Sequence, residues 1–186
     1  MTRVGWIVLA TILLVAGLFA SMVRFGPAPV SPPGPKRAPG DGLEIPVAGI
    51  ARDGIADTWG DARSEGRQHH GTDIMAPGGT PVLATAAGTV EKLFSSRLGG
   101  TTLYQRSADR RWTFYYAHLK AYAPGIHEGQ QVQPGQLLGF VGDTGDAGAG
   151  NYHLHFSLTR TDPQQRWWEG EDVNPYPYLS RATPLP

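Results

Sequence analysis

The stretch NYHLHFSLT, residues 151–159, alternates polar and apolar side chains over its whole length. A strict period of two predicts a β-strand with one buried face and one open face. His153 and His155 would then emerge side by side on the open face, roughly 6.5–7 Å apart. At that distance one imidazole could bind a metal ion while the other acts on whatever the ion holds. Two surface histidines explain the isolated motif equally well.

Residues 43–179 continue in the same manner, with short apolar or alternating runs separated by turns rich in glycine and proline. No segment keeps a helical period for three turns. The predicted strands are Thr80–Ala84, Gly88–Phe94, Thr101–Gln105, Trp112–His118, Leu137–Val141 and Tyr152–Thr159. Strands of this length and spacing predict an all-β domain, with an antiparallel sheet in a sandwich or open-barrel arrangement.

The N-terminus has a different character, because residues 4–23 form an uncharged apolar run between Arg3 and Arg24. Such a run has about the length that a helix needs to cross a bilayer. We therefore expect residues 1–24 to be a signal anchor, a single transmembrane helix in the cell membrane with its short N-terminus in the cytoplasm. A cleaved export signal is the alternative, although no convincing small-x-small cleavage site follows the run. Either interpretation places the rest of the chain in the periplasm or outside the cell.

Residues 25–42 are rich in proline and glycine, which predicts an extended linker rather than a packed segment. Composition thus divides the chain into an anchor over residues 1–24, a linker over residues 25–42, a folded domain over residues 43–180 and a tail over residues 181–186. The domain would stand away from the membrane surface.

The overall composition limits the possible partners. The chain has 16 basic and 16 acidic side chains, so its formal net charge is zero. A neutral chain without a long run of like charges gives no reason to expect a nucleic-acid partner. Since the chain has no cysteine, its exported part cannot depend on disulfides and must be held by its core, with a bound metal as a further possibility.

A second candidate metal motif lies in RQHHGTDIMAP, residues 67–77, where His69 and Asp73 are four residues apart. On a straight strand they would lie about 13 Å from each other. The chain must therefore bend between them to reach one ion, and Gly71 most readily permits a bend. With a histidine of the His-x-His pair they would form a set of two imidazoles and one carboxylate. Three protein ligands leave a position for water, which is the arrangement of a catalytic zinc site.

Four histidine and aromatic features remain, and two of them, His118 and the Trp167–Trp168 pair, allow two interpretations each. His118 ends the strongly aromatic run WTFYYAHL and could handle protons beside a metal site, or it could simply cap an aromatic cluster. His70 and His127 are interpreted as surface residues. Trp167 and Trp168 are interpreted as an aromatic edge of the core, with stacking on sugar rings as the alternative.

Several motifs together resemble the lysostaphin-type zinc metallopeptidases, a family of peptidoglycan endopeptidases. The resemblance covers about residues 43–179. The motifs that carry it, in the family's order and at plausible spacing, are HHGTDIMAPGGTPVLATAAGTV, FYYAHL, GQQVQPGQLLGFVGDTGDAG, NYHLHFSL and VNPYPYL. The resemblance implies a β-rich fold with a groove that lies across an antiparallel sheet.

The resemblance also implies roles for individual residues. His69, Asp73 and His155 would be the zinc ligands, and His118 and His153 would have the catalytic roles. Either of these two imidazoles could take the proton of the attacking water while the other donates to the oxyanion that forms. No ligand or catalytic histidine of the family's pattern is missing.

The function predicted on these grounds is a membrane-anchored zinc metalloendopeptidase that hydrolyses peptide bonds in the cross-links or stem peptides of peptidoglycan. Its partners would be wall peptides and the cell membrane, which it would reach through the N-terminal helix. Arg63 would make a minor contact with the wall peptide. The alternatives are a non-catalytic wall-binding module or activator of another hydrolase, and a zinc peptidase that acts on glycine-rich proteins. Loops around residues 95–100 and 143–151 are expected to decide which bond is cleaved.

Overall fold

The computed structural model describes residues 42–186, which form an antiparallel β-sheet with few helices. The strands are β1 Thr72–Met75, β2 Pro81–Leu83, β3 Gly88–Ser96, β4 Gly100–Ser107, β5 Trp112–Tyr122, β6 Gln131–Val132, β7 Leu137–Val141, β8 His153–Arg160 and β9 Glu171–Val173. Two single turns of 3-10 helix, Arg52–Gly54 and Ser64–Gly66, precede the sheet, and a short α-helix, Tyr176–Ser180, follows it. The predicted all-β, antiparallel fold is confirmed.

All nine strands belong to one hydrogen-bonded sheet with the order β1-β8-β5-β4-β3-β6. β1 and β9 share one edge of β8, since β1 pairs with residues 153–156 and β9 with residues 158–160. β7 pairs with the C-terminal part of β5 and carries β2 on its other side. Of the two predicted arrangements, this continuous pairing fits the open barrel better than a sandwich of separate sheets.

The six predicted strands are all present, and Leu137–Val141 has the predicted ends. β1, β6 and β9 were not predicted, because each is short and shows too few alternating residues for a period to be recognised. The helix Tyr176–Ser180 was missed for a similar reason, since its five residues include a proline and cannot display a helical period.

The predicted alternation of β8 is confirmed on its core face, where Leu154, Phe156 and Leu158 are fully buried. Its other face is less open than predicted, since His153 and Ser157 are only 5% and 7% exposed. The segments that contact these two polar side chains, before β1 and before β8, cover that face. β8 is therefore the floor of a groove rather than a free surface.

β5 changes its partner near its middle. Residues 112–117 pair with β8, whereas residues 119–122 pair with β7. Between them lies His118, whose φ of +59° is in the left-handed region that side chains other than glycine rarely adopt. The break in alternation lets both Ala117 and His118 line the groove, as expected for a bulge that re-aims a side chain.

Residues 1–41 lie outside the described residues, and with them the predicted transmembrane helix and nearly all of the predicted linker. Among residues 42–186, none of the helices has the length and apolar character required to cross a membrane.

The core contains a polar network around the fully buried Tyr116. The Tyr116 hydroxyl donates to Gln105 Oε1 at 2.7 Å and accepts from the backbone N–H of Thr85 at 3.0 Å. Gln105 in turn donates through Nε2 to the carbonyl of Ala86 at 2.6 Å. The network ties the chain before β3 to the central strands β4 and β5.

We expect Tyr116→Phe to lower the free energy of unfolding by about 1–3 kcal/mol, because it leaves a buried N–H and a buried amide oxygen without their partner. Urea unfolding followed by circular dichroism measures this loss. Tyr122→Phe is the matched control, since its hydroxyl donates to the Thr102 carbonyl at 2.9 Å but lies where water can replace it. Its loss should stay below about 1 kcal/mol, and equal losses for the two variants would contradict the interpretation.

Candidate metal centre and groove

The register of β1 against β8 brings two of the predicted ligands together. Asp73 lies directly opposite His155 in this pairing, and opposite residues in an antiparallel pair project to the same face. His69 precedes β1 in a turn held by backbone hydrogen bonds, from His69 N to Asp61 O at 2.9 Å and from Gly60 N to His69 O at 2.8 Å. This turn places the third side chain over the same face.

The three side chains meet at one point. His69 Nε2 lies 3.0 Å from Asp73 Oδ1 and 2.8 Å from His155 Nδ1, and the last two atoms are 3.1 Å apart. A tetrahedral zinc ion with bonds of 2.0–2.2 Å needs neighbouring ligand atoms roughly 3.3 Å apart. The triangle has nearly this size, and within residues 42–186 it is the one such cluster of possible metal ligands.

Hydrogen bonds on the far side of each ring determine which nitrogen faces the centre. His69 Nδ1 lies 2.6 Å from the carbonyl oxygen of Thr58, which can only accept, so Nδ1 carries the proton. His155 Nε2 lies 2.8 Å from Ser157 Oγ, whose own proton is donated to the carbonyl of His70 at 2.7 Å. His155 Nε2 is therefore the donor of this pair. Both imidazoles turn an unprotonated nitrogen toward the centre.

The Asp73 carboxylate completes the donor set. Arg63 forms an ion pair with its other oxygen, Oδ2, and so contacts a predicted ligand as well as lining the groove. Two nitrogen lone pairs and an anionic oxygen with no proton between them need a cation, and their chemistry fits zinc.

Gly71 is required for a reason that the sequence does not reveal. The chain bends there as predicted, but its φ is outside the left-handed region, so the bend itself does not demand glycine. A Cβ at this position would lie 2.6 Å from Cε1 of His155 and 2.9 Å from the carbonyl oxygen of Phe156. The absent side chain lets the backbone approach the imidazole.

The two predicted catalytic residues, His118 and His153, lie beside the three ligand candidates. Their ring centroids are 4.8 Å apart, and the His118 ring is 5.9 Å from that of His155. Nδ1 of His118 donates to the carbonyl of Thr144 at 2.8 Å, and Nδ1 of His153 donates to that of Asn151 at 2.9 Å. In its neutral form, each ring therefore has its unprotonated nitrogen at Nε2. Burial lowers the pKa of His118, which favours its neutral form.

Thr144 positions His118 and was not among the predicted site residues. Beyond its carbonyl contact, its hydroxyl donates to the carbonyl of Leu119 at 2.9 Å and accepts from the N–H of Thr101 at 3.0 Å. Gly100 packs so closely that a Cβ there would lie 2.2 Å from Thr144 Oγ1. The turn sequence GDTG was the one sign of this role in the sequence.

A groove of about 740 Å³ lies over the centre, and all five predicted site residues line it. Its walls include both loops that were expected to control specificity, through Leu98 and Gly99 of one loop and Asp146 and Ala147 of the other. The two loops contact each other, since the backbone N–H of Asp146 donates to the carbonyl of Leu98 at 2.9 Å. Tyr115 extends the floor beside His155, and burial raises the pKa of its hydroxyl, so the phenol stays neutral.

The histidines predicted to be at the surface are exposed. His127 lies away from the groove, whereas His70 lies at its rim. There, Nδ1 of His70 is 3.0 Å from Asp172 Oδ2, and its ring stacks on Trp59 with centroids 5.2 Å apart.

The interpretation of Trp167 and Trp168 as an edge of the core is wrong. Trp167 packs on the groove side of the sheet against Tyr104, with ring centroids 4.5 Å apart, and Trp168 is 55% exposed. Both residues line the groove. The core instead closes on the other face of the sheet, with Phe114 and Leu158.

Comparison with known proteins identifies the family. The model described as peptidase family M23 matches residues 67–175, more than half of the chain. An L-Ala–D-Glu endopeptidase of Bacillus subtilis is 40% identical over 129 residues, which are 66% of this chain and 38% of that protein. The DD-carboxypeptidase/endopeptidase Mpg of Neisseria meningitidis is 38% identical over 134 residues, 71% of this chain and 25% of that protein. The chain thus spans less than half the length of these curated relatives.

Solved structures share the fold. The catalytic domain of the antimicrobial peptidase lysostaphin from Staphylococcus simulans has a TM-score of 0.56 at 26% identity, covering 67% of this chain and 90% of that chain. A putative peptidase M23 from Pseudomonas aeruginosa has a TM-score of 0.58 at 26% identity, covering 89% of this chain and 59% of that chain. The family match, the shared fold and the zinc-compatible donor set agree with the resemblance in the sequence. The chain belongs to peptidase family M23, the lysostaphin-type zinc metallopeptidases.

Proposed function

We propose that this chain is a zinc-dependent endopeptidase that hydrolyses peptide bonds in the cross-links or stem peptides of peptidoglycan. The observation that carries the proposal is the meeting of His69, Asp73 and His155 at one point, beside two further imidazoles on the floor of an open groove. Three protein ligands leave room for water and for a substrate carbonyl. The substrate class is supported by relatives named as an L-Ala–D-Glu endopeptidase and a DD-carboxypeptidase/endopeptidase.

His69, Asp73 and His155 hold the zinc ion in this proposal. A zinc ion bound by such ligands polarises a carbonyl and lowers the pKa of water to about 7. The Thr58 carbonyl and the Ser157 hydroxyl take the outer N–H protons of the two rings and so keep the inner nitrogens available. These two partners thereby fix the orientation of the ligands.

His118 accepts the proton of the attacking water. Its Nε2 is unprotonated because Nδ1 donates to Thr144, and its burial favours the neutral form that a general base requires. After the attack, the same nitrogen returns the proton to the leaving amine. His153, in its protonated form, donates to the oxyanion of the tetrahedral intermediate, with Asp73 Oδ1 at 3.8 Å from its Nε2 to balance the positive charge.

The proposal extends to the arrangement of the chain. Residues 1–24 anchor it in the cell membrane, residues 25–42 form a linker, residues 43–180 form the catalytic domain and residues 181–186 form a tail. The uncharged apolar run near the N-terminus and the proline and glycine content after it support this division. The catalytic domain then faces the periplasm or the outside of the cell.

The full-length, zinc-loaded chain should release peptide fragments from purified peptidoglycan, and a chelator should abolish the release because the ligands then hold no Lewis acid. Restoring zinc should restore activity, and mass spectrometry of the fragments identifies the bond. Cleavage of an oligoglycine protein but not of wall peptides would assign a different substrate class. If nothing is cleaved and His155→Ala still supports the cellular phenotype, the chain is a binding module.

The two histidines of the His-x-His motif should differ in their effect on the metal. His155→Ala should lose both zinc and activity, whereas His153→Ala should keep its zinc and lose activity by about 100-fold or more. Metal content by mass spectrometry and kcat/KM on a wall peptide separate the two effects. His127→Ala, an exposed histidine outside the groove, should change neither quantity. Equal loss of zinc from the two groove variants would refute the assigned division of roles.

Thr144→Val should lower kcat by roughly tenfold, because it removes the two hydroxyl hydrogen bonds that position the carbonyl facing His118. Zinc content should stay unchanged, since Thr144 contacts none of the three ligand candidates. Thr144→Ser keeps the hydroxyl and should retain most of the activity. A serine variant as impaired as the valine variant would show that the hydroxyl does not position His118.

A further inference from the structure

An exposed aromatic surface lies beside the catalytic centre and has no part in the mechanism above. It is carried by residues 161–170, here called the Trp loop, which connects β8 to β9. Trp168 is 55% exposed and Phe94, on β3, is 41% exposed. Large exposed apolar side chains that cluster at a groove usually mark a binding surface.

The surface is continuous with the metal centre through a row of aromatic rings. The ring centroids of His155 and Tyr115 are 5.9 Å apart, and those of Tyr115 and Tyr104 are 4.5 Å apart. The row continues from Tyr104 to Trp167 at 4.5 Å and from Trp167 to Trp168 at 4.9 Å. All five side chains line the same groove. A ligand that occupies the centre therefore reaches the two tryptophans without leaving the groove.

A buried arginine fixes the Trp loop. Arg106 is fully buried, and its guanidinium donates to Thr161 Oγ1 at 2.6 Å and to the carbonyl of Gln165 at 2.9 Å. Arg110 donates through Nε to the carbonyl of Pro163 at 3.0 Å. Burying a guanidinium is costly unless its donors are used. Both Nη groups of Arg106 donate to the loop, whereas its Nε has no hydrogen-bond partner. The tryptophans are thus presented on a rigid support.

The Trp168 side chain is held by its neighbours and is still 55% exposed. The guanidinium carbon of Arg166 lies 5.2 Å from its ring centroid, the geometry of a cation–π contact. The loop backbone around it is closed by hydrogen bonds between Arg166 and Glu169, from Arg166 N to Glu169 Oε2 at 2.8 Å and from Glu169 N to Arg166 O at 3.0 Å. An oriented indole with more than half of its surface exposed suits a ligand that stacks through a flat apolar face.

We propose that Trp168, supported by Trp167, binds an amino-sugar ring of the glycan strand to which the cleaved peptide is attached. The inference rests on the proposed function, because peptidoglycan peptides hang from a chain of amino sugars. A stem peptide in the groove then brings its sugar within reach of a neighbouring surface. The apolar face of a pyranose ring stacks on an indole in the way that aromatic rings contact flat apolar groups. A preorganised platform contributes affinity without a cost for ordering the loop.

The test compares one wall peptide with and without its attached disaccharide, using the full-length, zinc-loaded chain. Trp168→Ala should lower kcat/KM on the sugar-bearing substrate by roughly three- to tenfold and leave kcat/KM on the sugar-free peptide unchanged. Trp168→Tyr retains an aromatic face and should recover much of the loss. Equal losses on both substrates, or no loss on either, would overturn the proposal.

A binding measurement keeps this inference separate from the proposed function. A soluble oligomer of N-acetylglucosamine is titrated against the wild-type chain and Trp168→Ala by calorimetry, and binding should be lost in the variant. If the wild-type chain cleaves neither substrate, the endopeptidase proposal fails, while the titration still decides whether sugars bind. Absence of sugar binding by the wild-type chain would overturn the inference. It would also be overturned if Trp168→Ala reduced binding to phosphatidylcholine vesicles but left sugar binding unchanged.

Discussion

The antiparallel pairing of β1 with β8 is the constraint on which the site depends. It sets Asp73 opposite His155, so a carboxylate and an imidazole from distant parts of the chain share one face. A slip by one residue would turn Asp73 to the other face and bring Ile74 to the centre. Ile74 pairs with Leu154 in the same register, and both side chains are buried. Burial of this apolar pair therefore holds the register that the proposed metal ligands need.

β5 contributes to the same centre by departing from regular strand geometry. Its pairing with β8 sets Ala117 opposite His155, and the next residue, His118, takes a left-handed backbone conformation. Such a conformation costs on the order of 1–3 kcal/mol and persists where the surroundings over-determine it. Here the backbone N–H of His118 donates to the Gly99 carbonyl at 2.8 Å, and its ring donates to Thr144. The strained backbone of His118 and the hydrogen bonds that hold it both lie beside the proposed catalytic centre.

The sequence predicts the fold wherever a period extends over several residues, as the alternation of β8 shows. It also places His69 and Asp73 on either side of a bend. The remaining features are contacts between distant segments, which no local pattern encodes. The carbonyl of Thr58 orients His69, the space beside Gly71 is filled by the ring of His155, and Thr144 holds His118 through its backbone. Their residue types are common in turns, so their roles become visible only when the strands are assembled.

The groove combines a candidate metal centre held by core packing with an aromatic surface held by a buried arginine, and this combination has an energetic consequence. Both parts are fixed before a ligand arrives, so little binding energy is spent on ordering them. Substrates are then distinguished by the contacts they make along the groove rather than by an adjustment of the enzyme. In the proposed function, a peptide alone would reach the centre, where Asp73 and Arg63 are paired. A peptide that carries its sugar would also reach Trp168, and the two substrates would then differ by the energy of that single stacked contact.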